Sequence, residues 1–572
     1  MKRVKLRPVL CLLMAILLLL ASCTPNDETG TPGPSGSDPQ PSNPGPSAAP
    51  EIPNRENIHF SDLPYHLPTA EEITNILQQF VADMDAAESA EEQIRLIIEN
   101  ERALCVYTDM ASIARIRFSQ NVTDETQAES QHFSNLFASV LADDHEADKA
   151  VVNSKYIDEL EAYFGKEIID QYRKAVREYD PAQAELLRTL SELSNRYTQL
   201  EVEYDPDIFY TGVNALYDEM LPLREEVAAL SGYGSFREYS FSNWSISLSE
   251  VEQYIRDVKQ TILPVYQKMA DSVPEGESRC PAGDWIWYPF LEEENPDINA
   301  RAYEIAVQML RSALPETNPM LDYMEHNGLI DVMPRERKEQ GAFTMPLYGA
   351  RVPFVFALLP EPEWVIHEFG HAFEVFEWPD VDTTSRFSMT PETAEVSSEC
   401  MGVLATERYE LLFGDTADYA RMKKIYDLAE SVLQTLLFCE FELEMYKNPN
   451  FTRAERDKVF KNLLDEYRVE GDFSWMYISH FFTSPLYTVS YSLDSVVALE
   501  LWQLLQENPS KAKQSYLRYV RNSTQQDFTA RLQDAGMGNP LERRNLETLA
   551  VFLDDLFTSD GYWEPQALGL AG

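Results

Sequence analysis

Residues 364–376 read WVIHEFGHAFEVF. His367 and His371 stand four apart, so on a helix both rings leave the same face. Two neutral imidazoles at that spacing bind one Zn²⁺. Glu368 lies between them, beside the ion without ligating it, where it can take a proton from a water the metal has acidified. The chain has only eight histidines. A chance match to His-Glu-x-x-His is then expected about once in a hundred such chains, and two idle surface histidines are a poor account of the pattern.

Such a site needs a third protein ligand and an open fourth position. After His371 the chain runs AFEVFEWPD, which lacks the Gly and His of a metzincin continuation. Further on, Thr390 and Pro391 read as the start of a second helix, with Pro at its first position. Glu392, Glu395 and Glu399 share one side of it at spacings of three and four. A carboxylate from this helix is the natural third ligand, and spacing alone leaves the choice among the three open.

Upstream, residues 341–360 read GAFTMPLYGARVPFVFALLP, where Gly, Pro, aromatic and β-branched residues replace the helical pattern. Val352 to Leu359 reads as a short strand, and Pro353 near its start places it at a sheet edge. An exposed edge can take up an extended peptide through backbone hydrogen bonds. The histidine helix is expected to begin around Glu363. Elsewhere helical signals dominate. Thr69 with Glu72 and Ser89 with Glu92 have capping-box spacing. Ile73, Ile76, Leu77 and Phe80 follow the first at helical period, and Leu186, Leu190, Leu193, Tyr197 and Leu200 form a second stripe. The fold class is therefore mainly α, with one small sheet beside the site.

HEFGH followed by Glu395 in TAEVSSE resembles the zinc peptidases related to oligoendopeptidase F and thimet oligopeptidase. The lead-in GLIDVMPRERKEQGAF, the segment HFFTSPLYTVSYSLDSVVALELW from His480 and the stretch FTARLQDAGMGNPLE at 528–542 resemble further blocks of that family. The resemblance is specific over about 327–545 and general before it. It implies a helical body with a deep channel, one zinc per chain held by His367, His371 and Glu395, and Glu399 as a partner for a ligating histidine. It also implies that His480, Tyr487 and Tyr491 supply donors to a developing oxyanion. Pro485 reads as the opening of the helix that carries both tyrosines, whose one-turn spacing lets their hydroxyls point the same way. Three departures from the family, Thr488 for Tyr, Leu486 for Phe and the short PEPEW stretch, bear on substrate preference.

The chain begins with Lys2, Arg3, Lys5 and Arg7, an apolar run from Val9 to Leu20, and Leu-Ala-Ser before Cys23. The run is too short to span a bilayer, which needs about 20 apolar residues. Residues 1–22 read as a bacterial lipoprotein signal peptide with Cys23 as the lipidated residue. Residues 23–56, rich in Pro, Gly and Ser, read as a disordered tether, and residues 57–572 as one peptidase body. A net charge of −48 repels nucleic acid and anionic lipid. Cys105, Cys280, Cys400 and Cys439 have no paired spacing, which excludes a cysteine zinc site and leaves one or two disulfides open. The expected protein is a zinc endopeptidase for short unstructured oligopeptides, lipid-anchored in the cell envelope and facing outside the cytoplasm. Its alternatives are a carboxypeptidase or peptidyl-dipeptidase on the same scaffold, or a non-catalytic peptide-binding lipoprotein.

Overall fold

The computed structural model describes residues 58–558, apart from 203–204, 274–278, 281–295, 340, 380, 382–389, 470–472 and 526. The signal peptide, Cys23 and the whole of the tether lie outside the described residues. Helices begin where the hydroxyl residues predict. Thr69 closes a complete capping box with Glu72 and opens the helix Ala70–Ala86. Ser89 accepts from the Glu92 N–H and opens Ala90–Gln120, but here the Glu92 carboxylate accepts from the Glu88 N–H instead, so this box is half formed. The Leu stripe lies on the helix Gln183–Val202, with Leu193 and Tyr197 fully inside.

Two apolar cores result. The N-terminal helices enclose one around Leu77, Phe137, Val151 and Ile169. A larger core surrounds the long helix Ala417–Lys447 and the helix Val489–Glu507 packed along it. The helix Pro391–Ala405 rests on Val489–Glu507 and carries the helix Pro362–Phe376 on its other side. Gly370 permits that crossing. A Cβ there would stand 2.5 Å from Ser398 Cα and 2.7 Å from the Ser397 carbonyl oxygen, so any larger residue would force the two helices apart.

The small sheet has three strands, β1 (Ile330–Asp331), β2 (Ala342–Leu347) and β3 (Val352–Ala357), in the order β1-β3-β2. β3 is thus the central strand and all six of its residues are buried, which corrects the edge assignment drawn from Pro353. Pro353 is tolerated because its partner across the antiparallel pair is Pro346. Neither has an N–H to give, so they share a position where the ladder requires none. The parallel pairing with β1 involves only Val355 and Phe356 and never reaches Pro353. The outer strands are β1 on one side and, on the other, β2. The turn beyond it is fixed from afar: Asp109, buried in the helix Ala90–Gln120, accepts from the Gly349 N–H at 3.0 Å and the Ala350 N–H at 2.8 Å. Among the described residues no disulfide joins the cysteines, and no helix is long and apolar enough to cross a membrane.

Candidate metal centre

The helix Pro362–Phe376 begins one residue before the expected Glu363, with Pro at its first position. His367 and His371 leave one face of it, ring centroids 5.0 Å apart. Both aim Nε2 at a single atom across the helix crossing. Glu395 Oε2 lies 3.2 Å from His367 Nε2 and 3.3 Å from His371 Nε2. One ligand atom from each of the three residues falls within 4.8 Å of the others. A tetrahedral ion with bonds of about 2.0–2.1 Å needs donors roughly 3.3 Å apart, which is the separation found between Glu395 Oε2 and each Nε2. Among the described residues, buried His371 has no partner of good hydrogen-bond geometry at either ring nitrogen, Glu395 Oε2 approaching Nε2 as an ion pair. These residues fit a divalent metal ion.

The charges agree. Burial pulls the His371 imidazole down, but Glu395, Glu368 and Glu374 outweigh it and hold it up at about 9. Burial likewise works against charge on His367, yet Glu395 and Glu399 raise it. Against its own burial, Glu395 is held well below the usual carboxylate range by the two imidazoles. A surplus of carboxylate thus draws positive charge to this point, as protons or as a metal ion. The cluster opens to solvent through His367, whose side chain is 22% exposed, while Glu395 is 2% exposed.

Glu399 and Glu392 part company. Glu399 Oε1 lies 3.6 Å from His367 Nδ1, on the ring edge away from Glu395. Glu392 is fully buried and accepts from the Ser245 N–H, which makes it an anchor for the helix start. Glu368 is buried and its carboxyl is raised by that burial. Thr344 in β2 donates its hydroxyl to Glu368 Oε2 and to the Glu368 main-chain oxygen, both at 2.8 Å. Sequence reading missed Thr344, since nothing local ties a strand threonine to a helix glutamate. It also missed Ser398, whose hydroxyl donates to Glu395 Oε2 at 3.1 Å. There the signal existed, because Ser398 stands three residues after Glu395 on one helix.

The structure brings His480, Tyr487 and Tyr491 to the same place by a different backbone from the one expected. His480 starts a one-turn helix, His480–Thr483. Pro485 does not open the next helix, which begins at Val489. Between them runs a turn in which Leu486 takes a left-handed φ of 65° and the Tyr487 N–H donates to the Ser484 carbonyl. Tyr487 therefore precedes the helix that holds Tyr491, and the one-turn argument for parallel hydroxyls fails. The rings still meet, 5.4 Å apart and edge to face. Tyr487 donates its hydroxyl to Glu395 Oε1 at 3.0 Å, whereas the Tyr491 hydroxyl lies 3.4 Å from His480 Nε2.

Residues 60–179 match the family model described as the Peptidase M3 N-terminal domain. Solved structures share the fold. One is PZ peptidase A with an inhibitor, at TM-score 0.77 and 21% identity over 88% of this chain and 100% of that one. A structure described as oligoendopeptidase F has TM-score 0.76 and 22% identity, over 88% of this chain and 99% of that one. Another so described, from Bacillus anthracis str. Ames, has TM-score 0.74 and 20% identity over the same shares. No curated protein matches the chain. The helical body has the fold of these peptidase structures, and His367, His371 and Glu395 form a candidate metal site within it. The match over residues 60–179 and the shared fold agree with the resemblance to oligoendopeptidase F.

Proposed function

We propose that the chain is a zinc-dependent endopeptidase for short, unstructured oligopeptides. The observation that carries this reading is the convergence of two Nε2 atoms on Glu395 Oε2 with the buried Glu368 carboxyl beside them. His367, His371 and Glu395 would hold the zinc, which would supply a Lewis acid for a peptide carbonyl and for water. Glu368 takes a proton from the attacking water and passes it to the leaving amine. Thr344 fixes Oε2 of that carboxyl and leaves Oε1 to face the water. Glu399 steadies the His367 ring through Nδ1.

Tyr487 and Tyr491 then have separate roles. Tyr487, bonded to Glu395 Oε1, orients the ligand. Tyr491 and His480 form a pair of donors for the oxyanion of the transition state. The outer edge of β2, the strand that carries Thr344, offers backbone groups to an extended peptide. At the other end of the chain, residues 1–22 and Cys23 carry the lipoprotein signal, so the enzyme works lipid-anchored, outside the cytoplasm. Incubation with a mixed peptide library, with and without a chelator, tests the reading. Internal cuts that vanish on chelation are expected. Release of only C-terminal residues or dipeptides would make it a carboxypeptidase or peptidyl-dipeptidase, and no cleavage at all would leave a binding protein.

A further inference from the structure

The turn that delivers Tyr487 to the site does not hold itself. Leu486, a residue with a full side chain, sits at φ 65°, where L-residues rarely stay without support. Its N–H points into the core and donates to Glu442 Oε2 at 2.8 Å. Glu442 is fully buried on the long helix Ala417–Lys447, and burial pushes its carboxyl up to about 8. Placing a carboxyl group there is costly unless it is used. One helical turn on, the Tyr446 hydroxyl accepts from Arg224 Nη1 at 2.9 Å. Arg224 is itself buried and donates twice more, to the same segment, at 2.8 Å to the Phe481 carbonyl and 2.9 Å to the Phe482 carbonyl. The one-turn helix of His480 and the left-handed turn before Tyr487 are thus gripped from two sides.

We infer that Glu442 is a positioning residue for catalysis: by accepting the Leu486 N–H it holds the Ser484–Thr488 turn in its left-handed form and so keeps the Tyr487 hydroxyl on Glu395. This rests on the reading that Tyr487 orients a metal ligand. Without the acceptor, Leu486 relaxes to a negative φ, and the direction of the chain into Tyr487 changes with it. A displacement of about 1 Å at a reacting centre costs on the order of 100-fold in rate. Among the described residues Glu442 makes no hydrogen bond to Glu395 or Glu368, so its effect reaches the site through the segment it holds.

A double-mutant cycle on one good peptide tests this. Glu442→Leu fills the space without an acceptor and should lower kcat about 10- to 100-fold, with KM changed less than about threefold and metal content intact. Glu442→Gln keeps a carbonyl oxygen for the Leu486 N–H and should restore kcat to within about threefold of the native value. In the Tyr487→Phe background, Glu442→Leu should cost little further, since the hydroxyl it positions is gone. Full kcat in Glu442→Leu, or costs that simply add in the double variant, would overturn the inference. A silent Tyr487→Phe beside an impaired Glu442→Leu would also overturn it, because Glu442 would then act elsewhere. A silent Glu442→Leu beside an impaired Tyr487→Phe removes the inference and leaves the proposed function standing. Hydrogen exchange on the native chain covers the case of a Glu442→Leu that does not fold. The Leu486 amide should exchange as slowly as the core helix amides next to it, and exchange at the rate of an open loop would refute the grip.

Discussion

The two ligand helices and the two turns that flank them are built on opposite plans. In Pro362–Phe376 and Pro391–Ala405, residues that act together are three or four apart on one helix, and backbone hydrogen bonds within the helix set their directions. The turns at Tyr348–Arg351 and Ser484–Thr488 have no such internal order. Each contains a non-glycine residue at positive φ, Arg351 at 55° and Leu486 at 65°. Each is held by a buried carboxyl group on a distant helix that accepts main-chain N–H groups, Asp109 for the first and Glu442 for the second. The helices set the directions of the candidate site residues from local sequence, and the turns are shaped by residues 44 and 240 positions away.

The comparison breaks most sharply at the ligands. Glu395→Ala should abolish both metal retention and peptide cleavage, while Glu399→Ala should keep the activity at saturating metal and weaken metal affinity by about 10- to 100-fold. Metal titration of the two variants checks this, and a swap of the two effects would make Glu399 the ligand. Next in size is Tyr491, on the helix Val489–Glu507 that follows the second turn. Tyr491→Phe deletes one donor and should lower kcat and kcat/KM together by about 100- to 1,000-fold with metal unchanged. Steady-state kinetics that give near-native kcat would mean the oxyanion donors lie elsewhere.

The smallest effect concerns stability. Burial raises the Asp109 carboxyl from 3.8 to about 7. Such a group keeps its proton in the folded chain at pH values where the unfolded chain has lost it. Its contribution is therefore greatest below about pH 4 and declines as pH rises from there to about 7. Asp109→Asn cannot ionise, so between pH 5 and 8 the native chain should lose more stability than the variant. Urea unfolding of both at the two pH values measures the difference, and equal losses would show that Asp109 does not titrate in the fold.

The same contrast governs what the sequence discloses. His367, Glu368, His371 and Glu395 stand together in space as their spacing and their resemblance to oligoendopeptidase F imply, because a helix converts spacing into direction. Capping residues such as Thr69 announce helix starts for the same reason. Where a partner comes from far along the chain, local pattern is silent. Pro353 reads as an edge residue until Pro346 is found opposite it. Pro485 reads as a helix start until the left-handed Leu486 and its link to Glu442 are seen. Thr344, Glu442 and Asp109 have no local signature at all, since each acts on backbone or side chains of a different element.

The central claim is that Glu368 is the base and the three residues around it are the ligands. Glu368→Gln keeps the shape of the side chain and its place on the helix while removing the proton acceptor. Zinc content and kcat should be measured on this variant beside the native protein. The account requires one zinc per chain in both, with kcat lower by about 100- to 10,000-fold in the variant. Loss of zinc from Glu368→Gln, or turnover close to native, would contradict it.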